Sequence, residues 1–172
     1  MRFAARSGTH SAVGTLMRDP MGLMGSVLVV SFIGMALLAP WLAPYDPIKI
    51  DVMNKFQPPS LAHWAGTDQL GRDTLSRIIW GARTALTIAL TATGLAGLAG
   101  LLLGLIAGFG PRWLDAILVL LFDSLSSLPM ILFALAVITI LGPGTGTLIF
   151  VILVISIPGY ARLIRAQTLT LK

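Results

Sequence analysis

The 172-residue chain has no cysteine and no glutamate, and all seven of its acidic residues are aspartate. Without cysteine, disulfides, thiol catalysis and thiolate metal sites are excluded. Without glutamate, so is any motif built on it, such as the His-Glu-x-x-His signature of zinc proteases. The only histidines, His10 and His63, fall in different compartments on the topology derived below. They therefore read as ordinary loop residues, and neither a histidine metal cluster nor a Ser-His-Asp triad is available. Charge is scarce as well: 11% of residues are charged and 56% are hydrophobic, against about a quarter charged in soluble domains. This is the composition of an integral membrane protein. The net charge of +5 and pI near 10.5 come from basic residues scattered between apolar runs. That distribution excludes nucleic acid as a partner and points to membrane topology.

Four apolar runs are long enough to cross a bilayer, at about 21–42, 84–109, 114–141 and 147–164. The expected fold is an all-α polytopic bundle of four transmembrane helices with one short extracytoplasmic interfacial helix. Residues 1–20 form a cytoplasmic N-terminal segment, 21–42 the first span and 43–83 a long polar excursion. Residues 84–164 hold spans two to four, and 165–172 form a cytoplasmic tail. Arg2, Arg6, Arg18, Arg112, Arg162, Arg165 and Lys172 then lie inside, and Lys49, Lys55, Arg72, Arg77 and Arg83 outside, a modest positive-inside bias. The first run is too long for a cleaved signal and reads as a retained span.

The excursion ends in Gly66-Thr-Asp-Gln-Leu-Gly-Arg-Asp-Thr-Leu-Ser-Arg-Ile-Ile-Trp-Gly-Ala-Arg83. Asp68 with Arg72 and Asp73 with Arg77 have helical spacing, while Leu75, Ile78 and Ile79 fall on another side. Asp73 or Thr74 can cap a helix whose preceding turn uses Gly71. These features predict a short interfacial helix at the outer face of the membrane; by spacing and capping alone, a solvated linker helix is the commoner reading.

Two further patterns lie in the spans. Ala92, Ala96, Gly100, Gly104 and Gly108 recur every fourth residue, forming a small-residue stripe that another helix can approach closely. Whether that helix belongs to this chain or to a partner stays open at this point. In the third span Asp123, Ser124, Ser126, Ser127 and Pro129 interrupt an otherwise apolar run. An intramembrane carboxylate is a functional candidate, and Pro129 can kink the helix, so Asp123, Ser124, Ser127 and Pro129 are assigned to a translocation path. A static ion pair between helices explains Asp123 as well. Gly142 to Thr147 lacks the lysine of a phosphate loop and reads as a tight turn.

The fixed positions of Gly66 to Arg83 resemble the segment before the second transmembrane helix in C-type permease subunits of dipeptide, oligopeptide and nickel ABC importers. The similarity extends to Arg18-Asp19-Pro20, Ala43-Pro44-Tyr45-Asp46-Pro47, Leu141-Gly142-Pro143-Gly144 and Pro158-Gly159-Tyr160-Ala161-Arg162. The resemblance implies a non-enzymatic transport subunit of the bacterial inner membrane, with its N-terminus in the cytoplasm and no cofactor. It implies, too, that such a subunit moves peptides by alternating access. Implied partners are a second permease subunit, two ATP-binding subunits that hydrolyse ATP, and an extracytoplasmic solute-binding protein. Thr67, Asp68, Gly71, Arg72, Asp73, Arg77 and Arg83 are then expected at the outer gate. Members carry Arg three residues before the intramembrane Asp, where this chain has Leu120. No Glu-Ala-Ala coupling loop follows Arg162 within the chain, which reads as the N-terminal part of such a permease or a split or truncated one. The alternatives are a non-transporting membrane module, an importer subunit for nickel or another solute, and a secondary transporter or channel.

Overall fold

The computed structural model describes residues 19–171; the N-terminal segment with Arg2, Arg6, His10 and Arg18, and Lys172, lie outside the described residues. The chain divides into two compact units at Thr84 and Ala85. All elements among the described residues are helical apart from one isolated bridge, Thr67 to Asp73.

In the first unit, α1 spans Pro20–Leu37 and the single turn α2 spans Ala39–Leu42. Asp19 caps α1 through Met21 N–H, and Pro20 occupies the first turn, where its missing donor costs nothing. The run expected as one span is interrupted at Leu38. Pro40 provides the cause, because it has no N–H to give and its ring crowds the carbonyl one turn earlier. Only Ala36 of α1 is buried. An apolar helix with so little of its surface covered by its own chain has lipid or a partner around it.

Helix α3 spans Thr74–Phe109. The helical reading of the polar motif therefore holds from Thr74 onward but differs in extent: the expected short helix forms the first turns of the 36-residue α3 and is not a separate element. Between Asp73 and Phe109 there is no proline to stop the helix, and its scattered glycines do not break it.

In the second unit, α4 spans Arg112–Ser127, α5 Met130–Leu141 and α6 Thr145–Thr170. The third run, expected as one kinked span, is a broken pair bent by 90° between α4 and α5. At the break, Leu128 and Pro129 are extended, as a proline and the residue before it favour. Among the described residues, three helices are long and apolar enough to span a membrane, or four if the bent pair is one span.

Helix α6 organises this unit, packing against α4 and α5. A small core of Ala107, Leu118, Phe122 and Ala161, flanked by Leu103, Leu114 and Ile157, joins α3, α4 and α6. The small-residue stripe finds its neighbour in this chain. A Cβ added at Gly100 would meet Tyr160 and Ala161, one at Gly104 would meet Ala161 and Ile164, and one at Gly108 would meet Thr168. Contact numbers rise together on both helices, so α3 and α6 run parallel, as two spans crossing in the same direction must. Ala92 and Ala96 are fully buried further up the stripe.

Backbone contact of this kind leaves no room for a methyl group. Gly104→Ala is expected to destabilise the helical unit by about 1–3 kcal/mol through overpacking. Gly97→Ala, which meets nothing within 4 Å, is expected to be neutral or slightly stabilising through helix propensity. Denaturant unfolding in detergent micelles, followed by circular dichroism, checks both; equal stability of the two variants would remove the close approach as a determinant.

Candidate functional site at the start of helix α3

The motif from Gly66 to Arg77 folds as a knot of turns in front of α3. Gly66 and Gly71 have φ of +69° and +76°, a region favouring glycine. A Cβ at Gly71 would also strike the Asp51 carbonyl, and one at Gly66 the Gln57 carbonyl. Glycine is required at both positions because the backbone doubles back against residues 51–57. Thr67 fastens that return. Its hydroxyl donates to Asn54 O at 2.5 Å and accepts from Gln57 N–H at 2.8 Å, while Phe56 N–H reaches Asp68 O at 3.2 Å.

Asp68 is the centre of the knot. Its Oδ1 accepts from Leu70 N–H at 2.8 Å and Arg72 N–H at 3.0 Å. Oδ2 accepts from Arg72 Nε at 2.8 Å, from the Arg72 terminal nitrogen at 2.8 Å and from Arg77 Nη1. One carboxylate thus joins two guanidinium groups. The four-residue spacing of Asp68 and Arg72 does bring them together, across a tight turn and not along a helix. Partial burial acts to raise the Asp68 pKa; the hydrogen bonds and charge of Arg72, with Leu70 N–H, outweigh it and lower the pKa from 3.8 to about 2.

Asp73 caps α3. Its Oδ2 accepts Ser76 N–H at 2.8 Å, the geometry of a helix N-cap. The helical spacing of Asp73 and Arg77 does not yield an ion pair: Arg77 turns to Asp68, and Asp73 Oδ1 lies 3.0 Å from His63 Nδ1. An ionised carboxylate only accepts, so Nδ1 of His63 carries the proton. Burial pushes the Asp73 carboxyl up, yet the Ser76 and His63 hydrogen bonds outweigh it and hold its pKa below the ordinary value. Ser76 Oγ accepts Tyr45 N–H at 3.1 Å, and the Tyr45 hydroxyl donates to Ala62 O at 2.8 Å while its ring lies 4.8 Å from that of His63. His63, expected to be an ordinary loop residue, is therefore a member of the cap network. No spacing signal marks it, because its partners Asp73 and Tyr45 lie 10 and 18 positions away along the chain. Tyr45, His63, Asp73 and Gly71 also line a cavity of about 120 Å³ with Asp46, Lys49 and Asp51. Arg83 lies over the Trp80 ring at 5.4 Å.

The expected path residues lie in the second unit. Asp123, Ser124 and Ser127 are exposed on α4, and Pro129 is at the break. Ser124 and Ser127 donate to Leu120 O and Ser124 O at 2.8 and 2.7 Å. The charge partner of Asp123 comes from another helix: Arg162 Nη1 of α6 lies 3.6 Å away.

Known sequences match these features in order along the chain. Residues 9–59 match the N-terminal TM domain of oligopeptide transport permease C, and residues 100–172 match the binding-protein-dependent transport system inner membrane component. The chain's homologues are dipeptide and glutathione permease subunits, 34–41% identical over most of its length. The chain is 34% identical over 171 residues to the dipeptide transport system permease protein DppC of Alkalihalophilus pseudofirmus, covering 99% of this chain and 56% of that protein. The di/tripeptide permease protein DppC of Pseudomonas aeruginosa is 41% identical over 87% of this chain and 52% of its own length. The glutathione permease protein GsiD of Escherichia coli is 38% identical over 97% of this chain and 55% of its own length. The chain spans about half the length of the curated relatives it matches. With several apolar helices and this likeness to inner membrane permeases, it is a multi-pass membrane protein.

Both carboxyl groups of the knot have depressed pKa values in the folded state, so they contribute stability above the unfolded value near 4. That contribution is lost as pH falls toward the folded value, about 2 for Asp68. Trp64 and Trp80 fluorescence in micelles is expected to report loosening of the knot between about pH 4 and pH 2. Asp68→Asn should flatten the transition and lower stability at neutral pH; an unchanged acid transition in this variant would remove Asp68 as its source.

Proposed function

We propose that the chain forms part of the transmembrane permease subunit of an ATP-driven importer that carries peptides across the bacterial inner membrane. The observation that carries this reading is the ordered match of two permease family models with peptide permeases among the relatives. The glutathione permeases at 38% identity favour a second reading within the same class, a glutathione importer. Glutathione is itself a tripeptide, so the two readings share a substrate chemistry.

In this reading the N-terminus is cytoplasmic and the knot faces outward. A solute-binding protein delivers substrate there, a second permease subunit completes the pore, and two ATP-binding subunits drive alternating access from the cytoplasmic side. The chain's own part follows from its geometry. Asp68, Arg72 and Arg77 tie the outer loop to the first turns of α3, and Asp73 with His63, Ser76 and Tyr45 ties the end of the first span's exit segment to the same turns. A change at the outer face is thereby transmitted to α3 as a rigid connection. Thr67 and Gly71 shape the knot, Arg83 stacks on Trp80 below it, and Asp123, Ser124, Ser127 and Pro129 form the wall of the path.

Uptake of labelled dipeptide and of glutathione by cells carrying the complete importer tests this reading. Arg77→Ala and Asp73→Ala are each expected to reduce uptake by about tenfold, the factor that ~1.4 kcal/mol supplies, with membrane insertion preserved. Wild-type uptake of both substrates with no response to either variant would count against the knot as a gate element.

A further inference from the structure

Two arginines one turn apart on α6 hold α4 in different ways. Arg165 grips Asp115 through two nitrogens at 2.5 and 2.7 Å, with both side chains less than a third exposed. This is the planar fork arrangement that fixes geometry as well as charge. Arg162 is divided among three partners. Its Nε donates to Pro158 O at 3.2 Å, Nη2 to Ser126 Oγ, and Nη1 lies 3.6 Å from Asp123, whose side chain is 61% exposed. An exposed ion pair at that distance is weak and readily exchanged.

The positions of these partners give the difference a meaning. Asp115 lies in the first turn of α4, far from the break. Asp123 and Ser126 lie in its last turns, directly before Leu128 and Pro129 turn the chain by 90° into α5. Pro158, at the other end of the Arg162 side chain, lacks a donor for the carbonyl one turn earlier and so marks the pliable point of α6.

We propose that Arg162 is a positioning residue, a releasable latch from α6 to the end of α4 that sets the angle between α4 and α5, while Asp115 and Arg165 form the fixed pivot. Release of the latch changes the bend and leaves the two helices joined at the pivot. Its use in transport rests on the permease reading; the latch itself does not.

The chain has no cysteine, so spin labels on introduced cysteines report only the chosen sites. One pair at Leu120 and Ile140 spans the break, and a second pair at Leu120 and Leu163 spans α4 and α6; all three positions are exposed. Distances are measured by double electron–electron resonance on the full-length protein in lipid nanodiscs. Helix α5, with 12 residues, is ~18 Å long at 1.5 Å per residue. A change of bend of about 20° therefore moves its far end by ~6 Å. Arg162→Gln is expected to shift or broaden the Leu120 to Ile140 distance on that scale while leaving Leu120 to Leu163 in place. Arg162→Lys, which keeps the charge beside Asp123, should restore most of the native distribution. An unchanged Leu120 to Ile140 distance in Arg162→Gln would overturn the latch. So would equal displacement of both pairs, which is the behaviour of general packing loss. Peptide uptake by the unlabelled importer is read separately, so failure of the permease reading and failure of the latch give different results.

Discussion

A single ionised carboxylate, Asp68, joins two guanidinium groups and two backbone N–H groups, and the fold of the first unit around the start of α3 depends on it. Around it the chain must reverse twice, which places Gly66 and Gly71 in left-handed backbone conformations and brings residues 51–57 against the motif. Such a reversal leaves polar backbone groups without the partners a helix or strand would give them. Thr67 and Asp68 provide the partners on one side. Asp73, Ser76, His63 and Tyr45 provide them on the other, where α3 begins with its first amides still unpaired.

Within the helical unit a different constraint governs. Apolar side chains gain little by leaving lipid for one another, so the helices associate through fit and through polar links. The fit is given by glycines on α3 that admit α6 to backbone contact, and the links by the arginines of α6 that reach α4. Much of the remaining apolar surface, including nearly all of α1, is exposed within this chain. Lipid or partner helices are the natural covering for it.

The spans were legible in the sequence because bilayer thickness imposes a length on apolar runs, and the small-residue stripe because four-residue spacing maps onto one helical face. The identity of the stripe's neighbour was not legible, since spacing defines a face and says nothing of what meets it. Charge spacing misled in one respect. Asp73 and Arg77 stand four apart at a helix start, yet each found a stronger partner in the loop, where His63 and Asp68 lie close only after the chain has reversed. The partner of Asp123 was hidden for the same reason: Leu120 removes the intrahelical arginine, and Arg162 lies in another helix 39 positions on. The 90° break was legible as a proline and only its sharpness was not, because Pro129 and the residue before it are both extended.

The parallel pairing of α3 with α6 also sets an order on biogenesis. Gly100 leaves the ribosome about 60 residues ahead of Ala161, its neighbour in the folded unit, an interval of roughly 3–12 s at ordinary elongation rates of about 5–20 residues per second. During that time the glycine face of α3 is inserted in the bilayer without the surface that fits it, and α4 and α5 must enter and bend before α6 arrives. The notch in α3 is thus a vacancy that the nascent chain carries through synthesis, closed by the last helix described.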